Sequence, residues 1–341
     1  MNAMLLESLG DMETRPAPLR MVALPEPDLQ PGEVLIRVAA CGVCHTELDI
    51  IEGRTPPPRL PVVPGHQIVG VIEEAGSSEL VRAGERVGVA WIYSACGECE
   101  FCRSGMENLC PQFVATGRDT DGGYAEYLKA PEAFVHPLPD GLTDVEAAPL
   151  LCAGAIGYRS LQRTGIRDGE ALGLAGFGGS GHLTLKTAKA LFPRIRVFVF
   201  TRNPSEREFA RSLGADWAGA IDETPPEALE AVIDTTPVWR PALEALRHLK
   251  PGGRLVINAI RKEETDKQAL LDLEYPSQLW LEKEIRSVAN VTRADVREFL
   301  ALAAEAGIRP QVEEFPLADA NRALVEMKNG KIRGAKVLRM N

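Results

Sequence analysis

Residues 171–191 read Ala171-Leu-Gly-Leu-Ala-Gly-Phe-Gly-Gly-Ser-Gly-His-Leu-Thr-Leu-Lys-Thr-Ala-Lys-Ala-Leu191. The segment Ala171–Ala175 is short and apolar, the pattern of a buried strand, and His182–Leu191 carries the spacing of an amphipathic helix. Between them Gly176, Gly178, Gly179 and Gly181 form a G-x-G-x-x-G run. Glycine-rich turns are common, so the run alone says little. Placed after a strand and opening a helix, it has the context of a dinucleotide-binding turn. The glycines permit a tight turn and a close backbone approach to a pyrophosphate, which rests on the helix N-terminus. A purely structural strand-to-helix turn is the other reading of the same residues.

Outward from this turn the alternation of strand and helix continues. Arg196–Phe200 predicts the next strand. The helix after it has Asn203 as cap, Pro204 in the first position, Glu206 completing a capping box and Gly214 at its end. Thr201 and Arg202 stand where a dinucleotide's ribose is read. An NAD site wants Asp or Glu there, whereas Thr201 and Arg202 suit a 2′-phosphate. One charged hydrogen bond of ~1.5–3 kcal/mol corresponds to roughly 10- to 150-fold preference for NADP; a solvated arginine at a strand end is the alternative. Further strands are expected at Ala231–Asp234, Gly253–Asn258 and Ile285–Ala289. Alternation of this kind predicts a parallel sheet over 154–290.

The flanking sequence differs. Glu33–Ala39 and Gln67–Glu73 read as short apolar strands, with Pro56, Pro57, Pro58, Pro61 and Pro64 in a stiff loop between them. After 291, a helix opens at Thr292 with Asp295 three residues on, and a strand closes the chain around Lys336–Arg339. A β-rich region, an α/β region and a short return imply an α/β fold in which a nucleotide-binding domain is inserted into another. The expected division is 1–153, 154–290 and 291–341.

The seven cysteines add chemistry. Cys96, Cys99, Cys102 and Cys110 follow C-x2-C-x2-C-x7-C within a lobe at 91–113, and four thiolates this close can surround one tetrahedral zinc ion. A bacterial ferredoxin run has three residues before its last Cys rather than seven, and nothing suggests the export that would favour disulfides. Cys44, His66 and Cys152 would make a two-sulfur, one-nitrogen set with an open fourth position, the arrangement of a catalytic zinc. The long gaps between them leave that reading and a buried structural role equally open.

Length and composition bound the rest. At 341 residues two domains are expected. A net charge of −10 disfavours nucleic acid. No apolar run approaches the ~20 residues that span a bilayer, and Met1–Gly10 lacks a signal peptide's pattern. With zinc-type cysteine spacing, this points to the reducing cytoplasm.

Taken together, Ala40-Cys-Gly-Val-Cys-His-Thr46, Pro64-Gly-His66, the four-cysteine lobe, Gly122-Gly-Tyr-Ala-Glu126, Pro149-Leu-Leu-Cys-Ala-Gly154 and the glycine turn resemble the zinc-containing medium-chain alcohol dehydrogenases over nearly the whole chain. The resemblance implies a GroES-like catalytic domain enclosing a Rossmann domain, with one catalytic and one structural zinc. It makes Cys44, rather than Cys41, the ligand beside His66 and Cys152, and leaves Cys41 a packed thiol. It assigns Thr46 to passing the alcohol proton toward the cofactor ribose, His45 to the cofactor pyrophosphate, and Trp91 and Tyr93 to the substrate pocket.

Three residues depart from the family pattern. Glu47 stands where Asp is usual, Asp49 where the relay's last His is usual, and Gln67 where Glu follows the ligand His. Changes behind metal ligands typically cost 10- to 100-fold in affinity or activity. Gln67 removes a negative charge beside the metal, and Asp49, with a reference pKa near ~3.9, is a weaker base than His. The expected activity is reversible oxidation of primary alcohols to aldehydes with NADP(H), by a homo-oligomer, a tetramer in preference to a dimer. A secondary-alcohol or polyol dehydrogenase is the alternative enzyme, and an inactive NADP-binding sensor or structural protein is the alternative of another class.

Overall fold

The computed structural model describes every residue except 77, 79, 331, 332 and 341. It divides into two compact units, Met1–Ala155 with Val291–Asn341, and Ile156–Asn290. The first boundary falls two residues later than 153. The turn Leu150–Gly154, which carries Cys152, packs on the helix Arg293–Glu305, and a Cβ at Gly154 would lie 2.2 Å from the Phe299 ring.

The inserted unit is a six-stranded, wholly parallel sheet. Its strands lie in the order Trp217–Gly219, Arg196–Phe200, Ala171–Ala175, Leu229–Asp234, Leu249–Ile257, Glu284–Ser287. In chain order that is 3-2-1-4-5-6, the doubly wound arrangement that binds ligands outside the carboxyl ends of the strands where the order reverses. Ala171–Ala175 is buried at every position, and apolar clusters cover both faces, as a parallel sheet requires. The helix after the glycine turn begins at Gly179 rather than His182, so two more glycines stand in its first turn. Asn203 caps Pro204–Ser212 by accepting from Ser205 N–H at 3.0 Å, and Gly214 takes a positive φ of 97° just beyond the helix. Glu206 does not complete a capping box; its carboxylate turns back to the Thr201 hydroxyl.

The enclosing unit is built on Glu33–Val43, an eleven-residue strand that runs four residues past the expected end. Bulged register lets it pair antiparallel with three partners, Ile68–Glu74, Tyr127–Pro131 and Ala335–Arg339. The last of these belongs to the return segment, whose helix opens with the capping box of Thr292 and Asp295. Opposite Cys41 stands Leu338, so the chain's final strand supports the start of the Cys44 segment. Among the described residues, no helix is long and apolar enough to cross a membrane.

Candidate active site

The extension of Glu33–Val43 delivers Cys44 to the cap of the helix His45–Ile51. His66 is placed by a different device. Gly65 has a φ of 103°, and a Cβ there would lie 2.4 Å from the Tyr124 ring and 2.9 Å from Cys41 Sγ. The backbone of 122–124 clamps this loop through Gly122 N–H to Val63 O at 2.7 Å, Gly123 N–H to Gly65 O at 3.0 Å and Tyr124 N–H to Pro64 O at 2.9 Å. Cys41 is therefore a wholly buried packing thiol, and burial pushes its pKa well up.

Cys44, His66 and Cys152 converge, with their donor atoms all within 4.8 Å of one another and His66 Nε2 3.3 Å from Cys152 Sγ. Zinc bonds of ~2.3 Å to sulfur and ~2.0–2.1 Å to nitrogen put such donors about 3.6 Å apart in a tetrahedron. The set fits zinc. Cys152 and His66 hold the Cys44 thiol well below its ordinary pKa against burial, which favours the thiolate a metal needs. Glu47, wholly buried, clamps two of these three residues. One carboxylate oxygen lies 2.5 Å from His66 Nδ1, and the other accepts from Cys44 N–H at 2.8 Å. Burial opposes protonation of His66, yet Glu47 and Cys44 raise its pKa to about 10. The Nδ1 bond to Glu47 leaves Nε2 as the nitrogen that faces Cys152 and would ligate a metal.

The lobe Cys96, Cys99, Cys102 and Cys110 also closes, with Sγ–Sγ separations of 3.5 Å for Cys110–Cys96 and 3.8 Å for Cys96–Cys102. Sulfurs ~2.3 Å from a tetrahedral zinc lie about 3.8 Å apart, whereas a disulfide requires ~2.05 Å. Backbone N–H groups of Cys96, Cys99, Cys102 and Gln112 point at sulfurs at 3.4–3.5 Å, and bonds of this kind hold Cys96 down at about 6. This too fits zinc.

In the inserted unit, Gly176 has a φ of 87° and its N–H donates to Phe200 O at 2.9 Å. A Cβ at Gly181 would lie 2.6 Å from Gly176 O, while one at Gly178 meets nothing within 4 Å. Tight turn, close packing and open space are the three things a dinucleotide asks of these glycines. The opposite wall of the turn is held by a pair the sequence reading missed. Lys262 donates to Asp234 Oδ2 at 2.5 Å, Thr236 O at 2.8 Å and Val238 O at 2.7 Å. At the end of the second strand Thr201 is buried and Arg202 exposed.

Of the other expected site residues, some gather beside Cys44 and His66 and some do not. Thr46 Oγ1 lies 3.6 Å from Cys44 Sγ, and Trp91 sets its ring against His66 at 5.0 Å, edge-on. His45 is exposed in the first helical position. Tyr93 packs against the same apolar cluster as Trp91, but its hydroxyl donates to Glu33 at 2.9 Å, at the opposite end of Glu33–Val43 from Cys44. Asp49 is buried in an ion pair with Arg54 at 2.5 Å, and Arg54 also binds Glu52. Burial raises the Asp49 pKa, with Arg54 pulling the other way. Gln67 is buried over Gly42, whose Cβ would lie 2.9 Å from Gln67 Cδ. Neither Arg54 nor Lys262 carried a sequence signal: Arg54 is five residues beyond Asp49, past the end of His45–Ile51 and outside the i, i+3 and i, i+4 spacings that pair on a helix.

Comparison with known proteins agrees with this assembly. Residues 30–140 match the alcohol dehydrogenase GroES-like domain, and residues 208–338 match the zinc-binding dehydrogenase model. The chain is 46% identical over 344 residues to the "probable alcohol dehydrogenase AdhA" of Mycobacterium tuberculosis, covering 99% of this chain and 97% of that one. It is 38% identical to an alcohol dehydrogenase of Geobacillus stearothermophilus, covering 94% and 96%. Among solved structures, a cinnamyl alcohol dehydrogenase of Sorghum bicolor matches with a TM-score of 0.85 and 28% identity over 99% of this chain and 97% of that one. With two sulfur-rich donor sets, a doubly wound sheet and relatives of these names, the chain is an enzyme of the zinc-containing medium-chain alcohol dehydrogenase family.

Proposed function

We propose that the chain interconverts primary alcohols and aldehydes with NADP(H), using two zinc ions, one held by Cys44, His66 and Cys152 and one by Cys96, Cys99, Cys102 and Cys110. The observation that carries this is the convergence of Cys44, His66 and Cys152 with Glu47 behind two of them. Zinc at the three-residue set would supply Lewis acidity toward a substrate oxygen, and the nicotinamide would accept or give the hydride. The chain's own residues do the rest. Thr46 holds the proton that the substrate hydroxyl gives up. Asp49, raised by burial above an exposed carboxylate, receives it more readily than its reference pKa suggests. Trp91, with Phe113 at 6.3 Å, presents an apolar wall beside His66 that favours aromatic or medium apolar substrates. Gly176, Gly178, Gly179 and Gly181 take the pyrophosphate, and Arg202 takes the 2′-phosphate.

The enzyme works in the cytoplasm as a homo-oligomer, a tetramer. The support for association is the edge strand Glu284–Ser287, unpaired on its outer side among the described residues, with Ile285 exposed on it and Trp280 and Leu281 exposed just before it.

Elemental analysis of protein purified without added metal or chelator, with NADPH-linked reduction of an aldehyde panel, tests the reading. Two zinc ions per chain and turnover with NADPH exceeding that with NADH are expected. One zinc per chain, with no turnover after zinc is added back, refutes the catalytic assignment.

A further inference from the structure

Glu206 does not do what its place in the helix offers. As third residue of Pro204–Ser212 it is positioned to bond back to Asn203 N–H. That N–H goes instead to Thr201 Oγ1 at 3.4 Å, and Glu206 Oε2 accepts the Thr201 hydroxyl's proton. The carboxylate is thereby pinned at the carboxyl end of Arg196–Phe200, where the ribose of a bound dinucleotide is read. Burial raises its pKa, with Thr201 and Arg202 acting in the opposite direction.

The arrangement changes what Thr201 and Arg202 can do. The Thr201 hydroxyl accepts from one group and donates to another, so a 2′-phosphate could bind it only by displacing Glu206. Arg207 lies close by but is committed, its Nε donating to Thr201 O at 2.7 Å and its Nη1 to Glu223 at 3.4 Å. Arg202 is left exposed to attract a phosphate, with a fixed acidic group beside its neighbour Thr201.

We propose that Glu206 determines the cofactor ratio: its carboxylate opposes a 2′-phosphate and accepts from a 2′-hydroxyl, so the chain uses both dinucleotides and prefers NADP less than Arg202 alone would dictate. Glu206 thus supplies, from the first turn of the helix, the acid that is absent from the strand end. The inference rests on the cofactor site proposed above. It differs from a merely structural role for Glu206, which would move the affinities of both dinucleotides together.

The test uses Glu206→Gln, which keeps a carbonyl oxygen for the Thr201 hydroxyl and removes the charge. Dissociation constants for NADPH and NADH are measured by fluorescence titration at fixed ionic strength, since salt screens the effect, for the wild type, E206Q and Arg202→Ala. E206Q is expected to raise the ratio of NADH to NADPH dissociation constants about tenfold, by tightening NADPH and weakening NADH. A change under threefold, or equal movement of both constants, overturns the proposal. Failure of the NADP reading looks different: the wild type prefers NADH and R202A leaves its ratio unmoved, whatever E206Q does. Binding of neither dinucleotide by the wild type overturns both.

Discussion

Replacing Lys262 with Met removes a buried cation whose three donors are all in use. Its side chain is 7% exposed and that of Asp234 is 0% exposed, so neither charge has water to fall back on. Without Lys262, Asp234 keeps only the bonds from Thr236 N–H at 2.9 Å and Oγ1 at 2.7 Å, and the carbonyls of Thr236 and Val238 lose their shared donor. Breaking a buried pair by removing one partner costs ~3–5 kcal/mol, mostly because the other charge stays buried and uncompensated. At roughly 2–4 °C per kcal/mol for a domain near this size, the inserted unit should melt about 6–20 °C lower. The loop 235–238 also faces the glycine turn, where Thr235 donates to Ala175 O at 3.0 Å and a Cβ at Gly176 would meet Thr235 Oγ1 at 2.5 Å. NADPH affinity should therefore fall with stability. Calorimetry and cofactor titration on K262M, Asp234→Asn and the double variant separate the terms. The double variant should recover most of the loss, since Asn still accepts from Thr236 and carries no charge. A loss under about 1 kcal/mol in K262M, or a double variant as unstable as the single, would refute the argument.

Two further outcomes are expected. Thr46→Val should lower kcat by about 10²-fold or more, the low end for a lost proton-transfer group, with zinc content and NADPH affinity unchanged and Thr46→Ser retaining activity; equal kcat in all three would remove Thr46 from the proton path. His136 and His182 are held neutral by burial, both with pKa lowered to about 4, and Arg297 and Arg293 add to the effect at His136. Because the unfolded chain takes up these protons near pH ~6.5, the stability they contribute is complete above that value and is lost as pH falls toward 4. Each accounts for up to about 3 kcal/mol over that window, and denaturant midpoints should be less steep in pH for His136→Asn than for the wild type.

Much of this fold could be read from local chemistry. The glycine run after Ala171–Ala175 and the cap at Asn203 are set by neighbours within a few residues, and both stand where the sequence places them. The lobe cysteines are similarly close, and their sulfurs meet. What escaped depends on partners that spacing does not encode. The strand at Glu33 continues to Val43 because Ala335–Arg339, some three hundred residues later, supplies its hydrogen bonds. Tyr93 and Trp91 lie two apart, which suggests a shared face, but Glu33 draws the tyrosine hydroxyl elsewhere. Glu206 had the right position for a capping box and a stronger donor within reach in Thr201. Lys262 and Asp234 meet through sheet topology, 28 residues apart.

The three departures from the family pattern near Cys44, His66 and Cys152 are not equivalent once their partners are seen. Glu47 is one methylene longer than the usual Asp, and its two oxygens reach both His66 Nδ1 and Cys44 N–H. The change thus preserves the carboxylate's hold on the imidazole. Gln67 replaces a charge with an amide, and Gly42 provides the space its side chain fills, so the loss is electrostatic rather than steric. A neutral neighbour leaves more of a bound metal's charge for the substrate oxygen and less to retain the metal. Asp49 is the largest chemical change, because a carboxylate replaces an imidazole and acquires Arg54 as a counter-ion. Burial works toward restoring the basicity that Arg54 takes away. In the proposed mechanism the step at Asp49, rather than the set Cys44, His66 and Cys152, is therefore where this chain departs furthest from the family pattern.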